Sequence, residues 1–256
     1  MPATAALLDS RAALGALRRS LPRGSAPVLP CRSAAGLERA IERRLLEAIV
    51  LGVGAARHLD LGALRSRYPR IPVIAYGIFR SDDAELIQAW HRLDLAGVAV
   101  EGVDDPVVGD LVMRQSISER RRAALAGAPR LLRLTEPLQL KTWDLLIGGA
   151  GRTPRTATIA RRLGVSREHL SRQFGAGGAP NLKRVTDLLT VLAALHLLGN
   201  PGYSPAAVAR LLGFSTPSHL RLVIRRVTGI RMDEARGLSE RELLTRFVRG
   251  SARSRR

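Results

Sequence analysis

The rhythm of apolar and polar positions changes once along the chain, and that change divides it. Between residues 27 and 126, short apolar runs alternate with helical patterns. VLPC (28–31) has the length of a short strand. From Ser33 to Glu47, Leu37, Ala40, Ile41 and Leu45 recur at helical spacing while Arg and Glu fill the other face, which predicts an amphipathic helix. AIVLGVG (48–54), IPVIAYG (71–77) and AGVAVEGV (96–103) are apolar at nearly every position, as strands covered on both faces are. Leu61 to Tyr68 predicts a short helix between the first two of these runs. Ser81 to Leu93 predicts another, opening on Ser-Asp-Asp, and Pro106 to Ala126 a third. Strands alternating with helices predict βαβ units and a parallel sheet with helices on both sides. Residues 1–26 read as a short amphipathic helix, ending before Pro22, and a linker.

After Ala126 the pattern is different. GAPR (127–130) breaks the preceding helix, and from Glu136 to Arg249 every segment reads as helix bounded by Gly or Pro. The expected organisation is therefore an α/β domain over residues 27–129, an all-α domain over 130–249 and a frayed basic tail, GSARSRR, over 250–256.

Charge makes the division functional. The formal net charge is +19 over 256 residues. Residues 1–129 carry 18 basic against 14 acidic side chains, and residues 130–256 carry 23 against 8. The excess lies in the all-α half, where it attracts polyanions and gains from counterion release on nucleic acid. Cys31 is the only cysteine, which excludes an intrachain disulfide and a cysteine-rich zinc site. The longest apolar stretch, Leu188 to Leu198, contains Thr190 and His196 and is too short to span a bilayer. The N-terminus has no leading basic cluster and carries Asp9 inside its apolar stretch, a poor secretory signal. A cytoplasmic protein without membrane association is expected.

Two segments of the basic half share a grammar. In TATIARRLGVSREHLSRQF (156–174), Ala160 is small where two helices would cross and Gly164 suits a positive-φ turn. Ile159, Leu163, Val165, Leu170 and Phe174 are spaced to face inward, and Ser166 suits the N-cap of a second helix. That helix would then show Arg167, Glu168, Ser171 and Arg172 outward, able to reach base edges and phosphates. In SPAAVARLLGFSTPSHLRLVIRRVTG (204–229), Ala209 and Gly213 repeat the spacing of Ala160 and Gly164, and Val208, Leu212, Phe214 and Leu220 form the inward set. Its second helix begins near Thr216, with Pro217 in the first turn. Ser218, Arg221 and Leu222 face outward, and Arg225 and Arg226 follow one turn later, placed for phosphates.

ARRLGVSREHLSRQF (160–174) and GFSTPSHLRLVIRRVTGIRMDEAR (213–236) resemble the DNA-binding domain of AraC/XylS-type regulators, over roughly residues 138–248. The resemblance implies two recognition helices in successive major-groove segments of double-stranded DNA. LKRVTDLLTVLAALHLL (182–198) would be the helix linking them. It implies base contacts from Glu168, Ser171 and Arg172 in the first unit and from Pro217, Ser218, Arg221 and Leu222 in the second. Arg167 joins the base-contacting set, and Ser166, Arg162 and Lys183 join Arg225 and Arg226 as expected phosphate contacts. The chain departs from the family in carrying Leu220 for its usual Phe, Leu222 for its usual Arg, and Thr190 where the linking helix commonly has Arg. Fewer base contacts from the second unit follow.

The order of segments in the N-terminal half, especially ALRSRYPRIPVIAYG (63–77), resembles a response-regulator receiver domain. The chemistry of phosphotransfer is missing. AIVLGVG ends at Gly54 without the acceptor aspartate, Ala75, Tyr76 and Gly77 stand where a Thr or Ser belongs, and Asp104 follows the last strand where a Lys belongs. The first strand with its acidic pair is expected to be absent or replaced by the N-terminal helix. The implied domain is a truncated, degenerate receiver serving dimerisation or partner binding: a homodimer through this domain, or contact with RNA polymerase.

No motif calls for a cofactor or a metal, and none supplies a catalytic site. Gly52 and Gly54 lack a third glycine, because Arg57 occupies its place, and neither GGAGRT (148–153) nor GAGGAP (175–180) has the Gly-Lys-Ser/Thr of a phosphate loop. His58-x-Asp60 and the pair His169 and His219 read as surface or helix-margin residues. The reading is a sequence-specific DNA-binding transcription regulator, not an enzyme. Two alternatives stay open at this point: a recombinase-like enzyme targeted by its helix-turn-helix units, and an interaction protein that touches DNA nonspecifically.

Overall fold

The computed structural model describes residues 2–149 and 151–253. The described residues form two compact units, one from residues 2–120 with Asn200–Gly202, the other from residues 121–199 with residues 203–253.

The first unit runs β1 (Ala3–Leu7), α1 (Arg11–Ser20), β2 (Val28–Pro30), α2 (Ala34–Arg43), β3 (Leu46–Leu51), α3 (Val53–Arg57), α4 (Leu61–Arg67), β4 (Val73–Gly77), α5 (Ala84–Arg92), β5 (Gly97–Val100) and α6 (Val108–Gln115). All five strands are parallel, in the order β2-β1-β3-β4-β5. This is the flavodoxin-like doubly wound order. Ala6, Ala48, Val50, Ile74, Tyr76 and Ala99 turn to one face and join Ala13, Ala16 and Leu17 of α1 and Val108 and Val112 of α6 in a single buried cluster. Their strand neighbours Ala5, Ile49, Leu51, Val73 and Ala75 are equally buried on the other face. Covering on both faces is why these strands read as continuous apolar runs rather than as alternation.

One expectation is corrected here. Residues 1–26 hold the expected helix before Pro22, α1, but a strand precedes it: Ala3–Leu7 form β1, hydrogen-bonded to β2 on one side and to β3 on the other. The sheet is thus complete rather than truncated. The segment ATAAL has weak strand propensity, and only its central position, with every residue buried, makes it a strand; tertiary context overrides the local preference. The helix expected over 106–126 is likewise divided, into α6 and α7 (Ile117–Ala124), at Ser116. Glu47, an acid within an otherwise apolar strand, is explained by the same break. It is buried and accepts hydrogen bonds from Ser118 N at 2.8 Å and Ser118 Oγ at 2.7 Å, capping the first turn of α7.

The second unit is helical: α8 (Ala128–Leu131), α9 (Pro137–Ile147), α10 (Thr156–Arg162), α11 (Arg167–Phe174), α12 (Leu182–Leu198), α13 (Pro205–Leu212), α14 (Pro217–Thr228), α15 (Met232–Ala235) and α16 (Glu240–Arg253). α12 is apolar almost all round, with Val185, Leu188, Leu189, Val191, Leu192 and Leu195 buried, as a helix at the centre of a bundle is. Residues 250–253, expected to begin a frayed tail, continue α16, and residues 254–256 lie outside the described residues.

Candidate nucleic-acid interface

The two short helix pairs in the second unit are built alike. In the first, α10 ends at Arg162, the chain turns through Gly164 at φ +68°, and Val165 N donates to Ala160 O at 3.1 Å. In the second, α13 ends at Leu212, Gly213 turns at φ +81°, and Phe214 N donates to Ala209 O at 2.8 Å. The small residue and the turn glycine therefore act together: the alanine carbonyl closes the bend that the glycine opens. Both following helices are capped by a hydroxyl. Ser166 Oγ accepts from His169 N, and Thr216 Oγ1 accepts from His219 N, each at 3.1 Å. The second turn is one residue longer, Ser215 being the addition.

The inward sets are buried as their spacing requires. Ile159, Ala160, Leu170 and Phe174 fill the first unit, and Val208, Ala209, Leu212 and Leu220 the second. Leu163, Val165 and Phe214, expected inward, are only half-buried.

Arg167, Glu168, Ser171 and Arg172 are exposed on α11, where i,i+4 spacing places them on one side of the helix. On α14, Ser218, Arg221, Leu222 and Arg225 are exposed and follow i, i+3, i+4, i+7, so they also share a face. Leu222 stands 63% exposed, which the core does not account for. Pro217 opens α14 and is half-buried. Arg162 and Ser166 are exposed at the end of α10 and at the cap of α11. Lys183 and Arg226 are different. Both converge on Asp187 of α12, Lys183 Nζ at 2.6 Å from Oδ1 and an Arg226 guanidinium nitrogen at 2.7 Å from Oδ2. Arg226 thereby ties α14 to the linking helix.

Sequence reasoning missed the residue that anchors the first recognition helix. Gln139 is fully buried in α9. Its Oε1 accepts from Thr135 N at 2.9 Å and Glu136 N at 3.0 Å, and its Nε2 donates to Phe174 O at 2.9 Å, the last carbonyl of α11. The signal was the spacing Glu136-Pro137-x-Gln139, a helix start with a Gln at N3 that reaches back to the cap. Thr190, where the resemblance implies Arg, hydrogen-bonds Thr153 Oγ1 at 3.0 Å and the Thr186 carbonyl at 2.8 Å instead.

In the first unit, the carboxyl ends of β1 and β3 flank the point where the strand order reverses, which is where doubly wound sheets bind ligands. Here a side chain of the protein takes the amide donors. Asp9, just beyond β1, accepts from Gly54 N at 2.8 Å and Ala55 N at 2.7 Å. A Cβ on Gly52 would come within 2.5 Å of an Asp9 carboxylate oxygen. The first strand is thus followed by an acid, and that exposed acid caps α3. Near the end of β4, Tyr76 donates to Asp105 Oδ1 at 2.5 Å, and Gly102 N donates to the same oxygen at 2.8 Å. The Tyr76 hydroxyl hydrogen bond, then the Gly102 amide, hold the Asp105 carboxyl below its usual range. Burial, then Asp105, push the Tyr76 phenol up. Among the described residues, no group of three or more His, Cys, Asp or Glu could hold a metal ion, and no helix is long and apolar enough to cross a membrane.

Comparison with known proteins agrees with the paired helices. Residues 159–238 match the family model of a helix-turn-helix domain. No curated protein matches. Among solved structures, full-length FixJ from B. japonicum is similar at 12% sequence identity and a TM-score of 0.38, covering 87% of this chain and 95% of that one. The C-terminal unit therefore carries a helix-turn-helix domain over residues 159–238, and the function class this domain supports is DNA-binding transcription regulation.

Proposed function

We propose that the C-terminal unit reads duplex DNA sequence-specifically through α11 and α14, each entering the major groove. The observation that supports this most is the repeated turn, from Ala160 to Val165 and again from Ala209 to Phe214, each followed by a capped helix with an exposed polar face. Arg172 and Arg167 are suited to guanine edges, Glu168 to a cytosine amino group, and Ser171 and Ser218 to either partner. Arg221 adds a second-unit donor, and Leu222 with Pro217 offers apolar surface to a thymine methyl. Arg162, Ser166 and Arg225 take phosphate oxygens. Lys183 and Arg226 serve chiefly as the brace on Asp187, a narrower role than the phosphate contact that position alone suggests. α12, at 17 residues, spans about 25 Å, a length suited to holding two readers on one side of a duplex.

The experiment is competition binding at stated salt, because only specific readout survives a large excess of random duplex. Loss of binding to random competitor would favour nonspecific association, and strand nicking with Mg²⁺ would favour an enzyme.

The N-terminal unit is proposed as a dimerisation module working in the cytoplasm beside the DNA-binding unit. The amide donors of its ligand crevice are taken by Asp9, whereas Ile87 in α5, Val98 on the edge strand β5, and Val103 and Val107 in the loop to α6 are exposed apolar side chains at one side of the sheet. A second copy would cover them. Gel filtration of the full chain over a concentration series checks this; a clean monomer at high concentration would count against it.

A further inference from the structure

A second polar feature of the C-terminal unit is not used by either recognition face. Helices α12, α14 and α16 enclose a cleft of about 1030 Å³, the size of a small-molecule site. Lys183, Arg184, Arg226, Arg241, Arg246 and Arg249 line it, against Asp187 and Glu242 alone. Both carboxylates already accept hydrogen bonds. Asp187 accepts from Lys183 and Arg226. Glu242 accepts from Ser239 Oγ at 2.7 Å and Ser239 N at 2.8 Å. The neutral polar groups are committed as well: Asn181 Oδ1 caps α12 through Arg184 N, Thr228 Oγ1 donates to Ile224 O, and Thr245 Oγ1 donates to Arg241 O. The charge offered to a guest is mainly the guanidinium groups of Arg241, Arg246 and Arg249. Arg241, Thr245 and Arg249 stack at i, i+4, i+8 along α16, and the Arg184 guanidinium lies over the Phe247 ring at 5.3 Å from its centroid. Val227, Leu238 and Phe247 add apolar lining.

We propose that this cleft binds a small organic polyanion, a ligand bearing a di- or triphosphate on an apolar body. Planar guanidinium groups engage phosphate oxygens in pairs, and the apolar lining accepts the rest of the molecule. The cleft meets α14 at Arg226–Gly229, about 13 Å along the helix from Ser218. A ligand there and a duplex at the recognition face are therefore compatible. Because Arg226 braces α14 on α12 through Asp187, a phosphate competing for that guanidinium acts directly on the orientation of the second recognition helix.

The test is calorimetric titration of the full chain with inorganic tripolyphosphate, without DNA and then with saturating duplex. The DNA-free arm does not depend on the proposed DNA reading, so failure of one is distinguishable from failure of the other. One site is expected, weakened at least about tenfold in R241Q/R246Q. R39Q/R43Q, which removes the same charge from exposed positions on α2, should leave it within about twofold. Both cleft positions are exposed, so the variant retains its core. Equal affinity of the wild type and R241Q/R246Q overturns the proposal. So does stoichiometric displacement of tripolyphosphate by duplex, which would make the cleft a contact for the DNA backbone.

Discussion

Gln139 donates its side-chain amide to the carbonyl of Phe174 at 2.9 Å, joining the start of α9 to the end of α11. Phe174 is itself fully buried, so this bond fixes the depth at which the first recognition helix leaves the core. Because the amide also accepts from two part-buried backbone N–H groups, removing it strands the buried Phe174 carbonyl and leaves those two donors unpaired. Gln139→Ala should cost about 2–4 kcal/mol of stability. Chemical denaturation followed by circular dichroism checks this; a change under about 0.5 kcal/mol, the range of ordinary surface substitutions, would show that the amide is not an anchor.

The two classes of contact on the recognition helices separate by their dependence on sequence. Arg172→Ala should cost about 1–3 kcal/mol on a selected duplex and relax preference at one base step. Arg225→Ala should weaken all duplexes alike and lower the salt slope by about one. Titrations at several salt concentrations, on selected and scrambled duplexes, measure both. Identical behaviour of the two variants would contradict the assignment.

Two glycines are required for different physical reasons, and substitution distinguishes them. Gly164 sits at φ +68° with open space around its α-carbon, so Gly164→Ala meets only the backbone cost of a left-handed conformation, about 1–2 kcal/mol. Gly52 has an ordinary φ of −66° but abuts Asp9, so Gly52→Ala is destabilising through contact. Adding Asp9→Ala should then recover part of the loss, a non-additivity of about 0.5–3 kcal/mol. Strict additivity in that cycle would show that Asp9 does not abut Gly52.

Acid should act on the N-terminal unit through Asp105. Its folded pKa lies below the ordinary value of 3.8, so its contribution is fully present above that value and is lost as pH falls through the depressed one. Tyr76→Phe removes the largest cause of the depression. The difference in melting temperature between wild type and Tyr76→Phe should therefore be widest above pH 4 and close below it. A gap independent of pH would assign the effect to packing of the ring.

How much of this was legible in the sequence depends on whether local pattern and tertiary context agree. The turns at Gly164 and Gly213 were readable because each needs a small residue, a glycine and a hydroxyl cap at fixed spacing, and local chemistry alone sets those demands. β1 was not. Ala3 to Leu7 become a strand only by hydrogen bonding on both sides, and their small side chains are what let α1 pack close. Asp9 was visible as an acid within an apolar stretch, yet its partner amides lie 45 and 46 residues away, beyond any local pattern. The pairing of Arg226 with Asp187 across 39 residues was hidden for the same reason.

Selection of bound duplexes from a random library by the full chain, at physiological salt, tests the central claim most directly. Two short sequence blocks should emerge with centres about 10 base pairs apart. The first block should lose its information in Arg172→Ala and the second in Arg221→Ala. Recovery of no shared sequence, or of one block that both substitutions leave intact, would contradict the reading of two recognition helices on one DNA.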